Sequence, residues 1–407
     1  MADKSTEPHQ SRKSGTRLWP LLALNFFMAD MQSGIGPFVG VFLLERGWAS
    51  GMIGTAMTMG NIAGMLITTP FGGLIDTSRY KRLWVIVPGF AVVAGSSIIL
   101  LSQNFWAVAA SQIATSVAGA AIVPAVTGIT LGMVKQRGFN RQNGLNQAFN
   151  HAGNMVGAAA SGYLGRQFGY FYVFLLAAAF GVITIACVLM IPPSSIDNHA
   201  ARGGKEDDPK SEHSASTMLL KHKPLLVLAL ALAVFHLGNA AIIPLYGMAA
   251  VAGSQANGPS FVATTIVVAQ GTMIIASILG MRAAEGRSYW PILLVSFLVL
   301  PLRGILAYFL SGWWGVFPVE ILDGIGTGLQ SVAVPGMVAR SLSGTGRVNL
   351  AQGAVITIQG VGAAISPALG GWVAEWIGFS PTFLVLGALG LIAVGAWVAL
   401  GAAVKQY

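Results

Sequence analysis

The chain contains 407 residues, of which 54% are hydrophobic and 9% are charged, and its formal net charge is +9. Soluble domains carry about 25% charged residues, so the composition excludes an ordinary soluble protein and indicates a membrane protein. The positive charge does not indicate nucleic acid, because the basic residues lie at the ends of long apolar stretches, where anionic lipid headgroups are the expected neighbours.

Twelve apolar stretches are long enough to cross a bilayer as helices, since one crossing needs about 20 residues. In chain order, the predicted spans are 18–44, 48–74, 83–102, 105–134, 142–165, 168–191, 224–250, 260–282, 290–310, 314–340, 348–373 and 379–403. All Lys and Arg residues except Arg46, Arg166 and Arg303 lie in or beside the two tails and every second gap between spans. This positive-inside bias predicts a multi-pass protein of a bacterial-type plasma (inner) membrane with both termini in the cytoplasm. The first 17 residues contain no cleavable apolar segment, so no signal peptide is expected.

A polar segment divides the spans into two sets of six. Residues 192–223 are rich in Ser, Gly, Lys, Asp and Glu, which predicts a cytoplasmic linker that is partly disordered. We therefore expect a cytoplasmic tail at 1–17, a six-helix bundle at 18–191, the linker, and a second six-helix bundle at 224–407.

The two halves are related in sequence. Shifting residues 140–174 by 209 positions places them without a gap on residues 349–383. The residues that then coincide are Asn140 and Asn349, Gly144 and Gly353, Gly153 and Gly362, Gly162 and Gly371, Gly169 and Gly378, and Phe174 and Phe383. Two parallel six-span repeats about an axis along the membrane normal are typical of one large class of transporters.

The loop after the second span reads Gly72-Gly73-Leu74-Ile75-Asp76-Thr77-Ser78-Arg79-Tyr80-Lys81-Arg82. It resembles the signature that follows helix 2 in the major facilitator superfamily, with matches at Gly72, Leu74, Asp76, Lys81 and Arg82 and departures at Thr77 and Arg79. The resemblance implies a two-bundle secondary transporter with alternating access. It also implies that Gly72, Asp76, Arg79, Lys81 and Arg82 form a cytoplasmic gate. On the alternative interpretation, the basic residues of this loop only determine the topology.

Ionisable side chains inside spans are costly, and they usually line a cavity or form pairs. Asp30 lies near the midplane of the first span, and Arg303 interrupts the span at 290–310. In the next span, Glu320 and Asp323 share one helical face. Arg303 and Asp323 lie at similar depth, so we expect a buried pair, whereas Glu320 lies nearer the membrane surface and is expected to be partly solvated. These four residues are the proton-coupling candidates, and a structural acid or a fixed ion pair is the alternative.

Uncharged polar residues inside spans are candidates for a substrate cavity. They are Gln112, Asn150, His151, His236, Asn239, Gln270, Thr327 and Gln359. The superfamily resemblance implies that helices 1, 4, 7 and 10 line this cavity, which would include Gln112, His236, Asn239 and Thr327. The alternative is that these side chains hold helices together by hydrogen bonds.

The sequence thus predicts an all-α membrane protein with twelve transmembrane helices in two pseudo-symmetric six-helix bundles. We expect a proton-coupled secondary transporter of a small organic solute, acting as a monomer in the lipid bilayer, and we favour efflux by antiport. Import of a polar or anionic metabolite by proton symport is the alternative, and an unpaired Arg303 would favour it. A third alternative is a membrane sensor or scaffold that transports nothing. The chain carries no nucleophile elbow, metal set or phosphate loop, so neither enzymatic activity nor a cofactor or metal is expected.

Overall fold

A computed structural model describes residues 18–29, 35–102, 104–198, 200–202, 222–253, 257–285, 288–342 and 348–399. Within these ranges the chain is almost entirely α-helical. The helices are α1 Trp19–Ala29, α2 Ile35–Leu44, α3 Ser50–Thr77, α4 Leu83–Leu101, α5 Phe105–Phe168, α6 Tyr170–Leu189, α7 Lys223–Asn239, α8 Ile242–Ala252, α9 Gly258–Ala284, α10 Trp290–Phe309, α11 Trp313–Ser341, α12 Val348–Ile377 and α13 Phe379–Ala399.

The offset of 209 residues found in the sequence relates the helices of the two halves. For example, it places α3 on α9, α4 on α10 and α6 on α13, with ends that differ by no more than two residues. Gly169 and Gly378, which the offset pairs, have φ angles of 90° and 86°. Only glycine adopts such angles readily, so both halves use the same turn before their last helix. The fold is that of two six-helix bundles.

One predicted span differs from the structure. The predicted span 224–250 contains two helices, because α7 and α8 are separated at Ala240 and Ala241. Pro244 explains this break, because it has no backbone N–H to donate to the carbonyl of Ala240. In the predicted span 18–44, the structure describes α1 and α2, and residues 30–34 lie outside the described part of the chain. The spans predicted at 105–134 and 142–165 both lie in α5, where a kink at Lys135, with a φ of 56°, separates two helices, so the predicted division is confirmed.

Within the described part of the chain, eight helical stretches are long and apolar enough by themselves to cross a membrane. The other four predicted spans lie in α1 with α2, in α3, in the second part of α5, and in α11, which are shorter or less apolar. The last three of these carry polar side chains that face protein or cavities, as described below.

The start of the predicted linker packs against the first half. Pro193–Ser195 and Ala200–Arg202 form short 3₁₀ turns, and the backbone N–H of Asp197 donates to the carbonyl of Gly132 over 3.0 Å. Ile196 is buried here. The start of the linker therefore contributes an apolar side chain to the packing, although the linker as a whole is polar. Residues 203–221 lie outside the described part of the chain.

Helix packing within and between the halves positions the site. In the first half, α5 contacts α1, α3, α4 and α6; in the second, α9 packs on α11, α10 on α13, and α12 on α7. The halves meet where α3 packs on α12, α5 on α9, and α2 on α8. Successive spans run in opposite directions. We call the side that carries the loop 78–82 and the segment 190–202 the linker face, and the side that carries residues 45–49 and 310–312 the opposite face.

Candidate functional site

A buried ionic cluster joins α7, α10 and α11. Arg303 donates from Nη1 to Oδ1 of Asp323 over 2.6 Å and from Nη2 to Oε2 of Glu320 over 2.9 Å. Asn239, the last residue of α7, bridges two of these groups. Its Oδ1 accepts from Arg303 Nη1 over 2.7 Å, and its Nδ2 donates to Asp323 Oδ1 over 2.9 Å. The expected pair of Arg303 and Asp323 is therefore present in the structure.

The cluster also contains Glu320, which corrects one expectation. Glu320 and Arg303 are fully buried and Asp323 is 6% exposed, so Glu320 is not partly solvated as its depth suggested. Packing of α10 on α11 encloses Glu320. The rotation of α11 that turns Glu320 toward α10 cannot be predicted from the depth of the residue in the span. Its second oxygen, Oε1, forms no hydrogen bond within the described residues. One cation and two carboxylates together carry one unbalanced negative charge if both acids are ionised.

Asp323 is the member of the cluster that reaches a cavity. A space of about 250 Å³ lies between the halves and is lined by Asp323, Thr327, Gln270, Asn154 and other residues. Thr327 lies one turn after Asp323 on α11 and donates its hydroxyl to the Asp323 carbonyl over 2.7 Å. At this level His151 Nδ1 lies 2.8 Å from Gln270 Oε1, which joins α5 to α9 across the interface between halves.

A larger cavity of about 580 Å³ lies beside it, between α2, α3, α4, α5 and the second half. Its polar side chains all come from the first half. They are Asn61, Thr68, Ser111, Gln112, Thr115 and Ser116. The second half contributes only small residues, which are Ala240, Gly360, Ala363 and Ala364. No charged side chain is among the described residues that line this cavity, so the walls suit an uncharged ligand surface.

Two amides and one hydroxyl are the uncommitted hydrogen-bonding groups of this larger cavity. Thr68, Ser111 and Thr115 donate their hydroxyls to backbone carbonyls. The side chains that form no hydrogen bond within the described residues are those of Asn61, Gln112 and Ser116. Gln112 is one of the sequence candidates. Sequence reasoning missed Asn61, although the 209-residue offset places it on Gln270, a candidate of the second half.

The remaining candidates occupy other positions. His236 Nε2 lies 3.2 Å from Gln330 Oε1, and Gln330 donates in turn to Ser296 over 3.3 Å. Asn150 donates to the Asn25 carbonyl over 3.4 Å and thereby links α5 to α1. Gln359 lines neither of the two cavities described here. Asp30 lies outside the described residues.

The loop predicted to form a gate contains one buried and several exposed residues. Lys81 is 1% exposed and donates from Nζ to the Ile75 carbonyl over 2.9 Å, so it caps the C-terminal end of α3. Arg82 donates to the Leu189 carbonyl over 3.0 Å. Asp76 and Arg79 are exposed, and Asp76 forms no hydrogen bond or ion pair within the described residues. Around Gly72 there is open space, because an added Cβ would meet no atom within 4 Å.

The halves touch near the opposite face. Near the opposite face, α3 meets α12 at Gly51 and Gly371, where an added Cβ would collide with the other helix. Midway, an added Cβ at Gly360 would lie 3.8 Å from the Met65 sulfur, and at Gly353 it would meet nothing within 4 Å. Among the described residues, the close approach of these helices therefore lies near the opposite face.

Comparisons with known proteins agree with this architecture. Residues 21–319 match the Major Facilitator Superfamily. An uncharacterised MFS-type transporter of Mycobacterium tuberculosis is 36% identical over 371 residues, which cover 90% of this chain and 88% of the relative. The multi-drug resistance efflux pump PmrA of Streptococcus pneumoniae is 26% identical over 182 residues, covering 40% of this chain and 44% of the pump.

Solved structures of similar fold are transporters as well. The nucleoside transporter NupG superposes with a TM-score of 0.76 at 12% identity, covering 94% of this chain and 98% of NupG. A bacterial homologue of the human lysosomal transporter Spinster, in an inward-facing and unoccupied conformation, gives a TM-score of 0.73 at 11% identity over 96% of this chain and 97% of the homologue. The chain is therefore a multi-pass membrane transporter that belongs to the Major Facilitator Superfamily.

Proposed function

We propose that this transporter exports a compact organic compound in exchange for protons. The observation that carries the proposal is the buried cluster in which one arginine serves two carboxylates. A net charge in a membrane interior is costly, and one proton on Glu320 or Asp323 makes the cluster neutral. The cluster is thus suited to hold one proton when it is closed and to release it when water reaches it.

The two acids have different roles in this scheme. Asp323 lines the smaller cavity, where it either carries a proton or interacts with the solute. Glu320 is enclosed by protein. Arg303 makes the protonation of either acid affect the other, because it binds both. Asp30 remains a further coupling candidate from the sequence.

The charges of the site favour an uncharged or singly positive solute. Arg303 uses both terminal nitrogens within the cluster, so it is not available to hold the carboxylate of an imported anion. The larger cavity offers two amides for hydrogen bonds to the solute, and small residues line its other side. Its volume is within the range of about 300–1,000 Å³ that small-molecule sites occupy.

The proposed direction of transport depends on the orientation of the protein in the membrane and on its similarity to a distant relative. By the positive-inside rule, the basic residues around 79–82 and 202–223 predict that the linker face lies in the cytoplasm. The cavities would then load from the cytoplasm in the conformation described. The similarity to an efflux pump supports export over part of the chain.

The test uses vesicles containing the purified protein and an imposed pH gradient. The probes share one planar ring system and differ in charge: ethidium is a single cation, phenanthridine is uncharged, and phenanthridine-6-carboxylate is an anion. An acidic interior should drive uptake of the cation or the uncharged probe above the level of protein-free vesicles. Uptake of the anion driven by an acidic exterior would support import by symport and contradict the proposal.

Coupling is tested in the same vesicles. Asp323→Asn and Asp30→Asn should each lower gradient-driven uptake to the level of protein-free vesicles, since an amide keeps the shape and cannot titrate. Exchange without a gradient should survive in at least one of them. Glu285→Gln, which changes an exposed acid at the end of α9, is the control and should retain uptake. Full uptake in both Asn variants would contradict coupling by these acids.

A further inference from the structure

Two contacts between the halves on the opposite face are related by the 209-residue offset. In one, Gly162 of α5 packs on the start of α9 at Pro259 and Ser260; in the other, Gly371 of α12 packs on the start of α3 at Ser50. The backbones of the two contacts correspond, because the offset of 209 residues places Gly162 on Gly371 and Ser50 on Pro259. They therefore form an internal comparison for any side chain that occurs in only one of them.

The N-terminal ends of α3 and α9 are capped differently. The first backbone N–H groups of a helix have no partner within it and need one elsewhere. Asn257 precedes α9, and its Oδ1 accepts from the N–H of Ser260 over 3.3 Å. Ala49 precedes α3 and has no side-chain oxygen, so α3 cannot be capped in this way by its own segment.

Glu375 of the other half provides the missing cap. Its Oε2 accepts from the N–H of Gly51 over 3.0 Å, across 324 positions of sequence. A carboxylate at a helix N-terminus is also favoured by the helix dipole. The offset places Arg166 at the position equivalent to Glu375, and a guanidinium cannot accept a hydrogen bond. The cap across the interface therefore occurs in only one of the two contacts.

Three further hydrogen bonds extend this contact along the same face of α3. The Ser50 hydroxyl donates to the Gly371 carbonyl over 2.9 Å, Trp372 donates from Nε1 to the Thr55 hydroxyl over 3.0 Å, and the Ala368 N–H donates to the Thr58 hydroxyl over 2.9 Å. All four bonds lie near the opposite face, and all must break if the halves separate there. They stabilise only the conformation that is closed at this face.

We propose that Glu375 is a latch that holds the opposite face closed by capping α3. It is the counterpart of Asp76. Helices α3 and α12 run antiparallel, and each carries an acid near its C-terminal end; that of α12, Glu375, lies beside the N-terminal end of α3. In the conformation described, the Glu375 cap is formed and Asp76 is exposed. The proposal depends on alternating access in the proposed function, but it does not depend on proton coupling or on the solute.

The test measures how often the opposite face opens. Ala263 is buried in the other contact, against Gly162, so Ala263→Cys reports opening without altering the latch. The reporter is placed in a Cys187→Ser background, because Cys187 is the only cysteine of the chain. The purified, monodisperse protein is reacted with a water-soluble maleimide, which requires neither a solute nor a pH gradient.

Glu375→Ala should raise the labelling rate by about fivefold, which is the effect of a typical lost helix cap on an equilibrium. Glu375→Gln keeps an acceptor oxygen and loses the charge, so it should raise the rate less. Asp76→Asn should lower the rate, and Arg166→Ala should leave it unchanged. An unchanged rate in Glu375→Ala, or an equal rise in Arg166→Ala, would overturn the latch. Loss of pH-driven uptake with the expected labelling pattern would refute only the coupling proposal.

Discussion

The two halves of this transporter share a backbone but differ in chemistry at equivalent positions. The 209-residue offset places Arg303 on Ala94, Asp323 on Ala114 and Glu320 on Ser111. In the first half, Ser111 donates its hydroxyl to the Gly95 carbonyl over 2.6 Å and the two alanines carry no polar group. The same helix packing thus holds an ionic cluster in one half and an uncharged helix contact in the other.

The cavity walls show the opposite asymmetry. Asn61 and Gln112 of the first half present uncommitted amides, while the second half lines the larger cavity with small residues. On the function proposed above, the second half would hold the charge that couples transport and the first half would provide polar contacts to the solute. Changes at equivalent positions should therefore have unequal effects, and the following predictions test this.

The largest effect is expected for Arg303→Ala. It leaves two carboxylates buried without their cation, which should lower the free energy of unfolding by about 3–5 kcal/mol. The double variant Arg303→Ala/Asp323→Ala should be more stable than the single variant, because only Glu320 remains and it can be protonated. Thermal unfolding of the purified protein measures both. A single variant as stable as the exposed control Arg166→Ala would remove the cluster from any structural role.

An intermediate and equal effect is expected for the glycine pair. Gly169→Ala and Gly378→Ala each place a side chain at a φ near 90°, which costs about 1–2 kcal/mol per residue. The two variants should lose similar stability in the same unfolding assay, since both halves use the same turn. Gly36→Ala is the control, because it lies in a helix and an added Cβ there meets no atom within 4 Å. Clearly unequal losses at 169 and 378 would contradict the shared backbone.

The smallest effect is expected for the cavity amides. Asn61→Ala and Gln112→Ala should each raise the KM for a transported probe about 2- to 10-fold, the effect of one lost hydrogen bond. The maximal rate should change less, because the ionic cluster is intact. Gln359→Ala removes an amide that lines neither cavity and should leave KM unchanged. Equal changes in all three variants would show that the amide pair does not contact the solute.

Several features of the protein were readable from the sequence because they depend on position along the chain. Apolar length and the distribution of Lys and Arg predict the spans and their alternation. The 209-residue offset predicts the two-fold architecture, and Gly169 with Gly378 is its clearest structural match. The depths of Arg303 and Asp323 on consecutive spans predict their contact, since residues at one depth on neighbouring helices can meet.

Other features were decided only by the tertiary structure. The burial of Glu320 depends on how α11 is rotated against α10, which neither depth nor composition specifies. Asn239 enters the cluster because α7 ends beside α10 and α11, and Asn61 lines a cavity because α3 packs on α5. The cap of Glu375 on Gly51 joins residues 324 positions apart and exists only while the halves touch at the opposite face. Hydropathy and spacing describe each helix separately, whereas these contacts arise from the orientation of helices relative to one another.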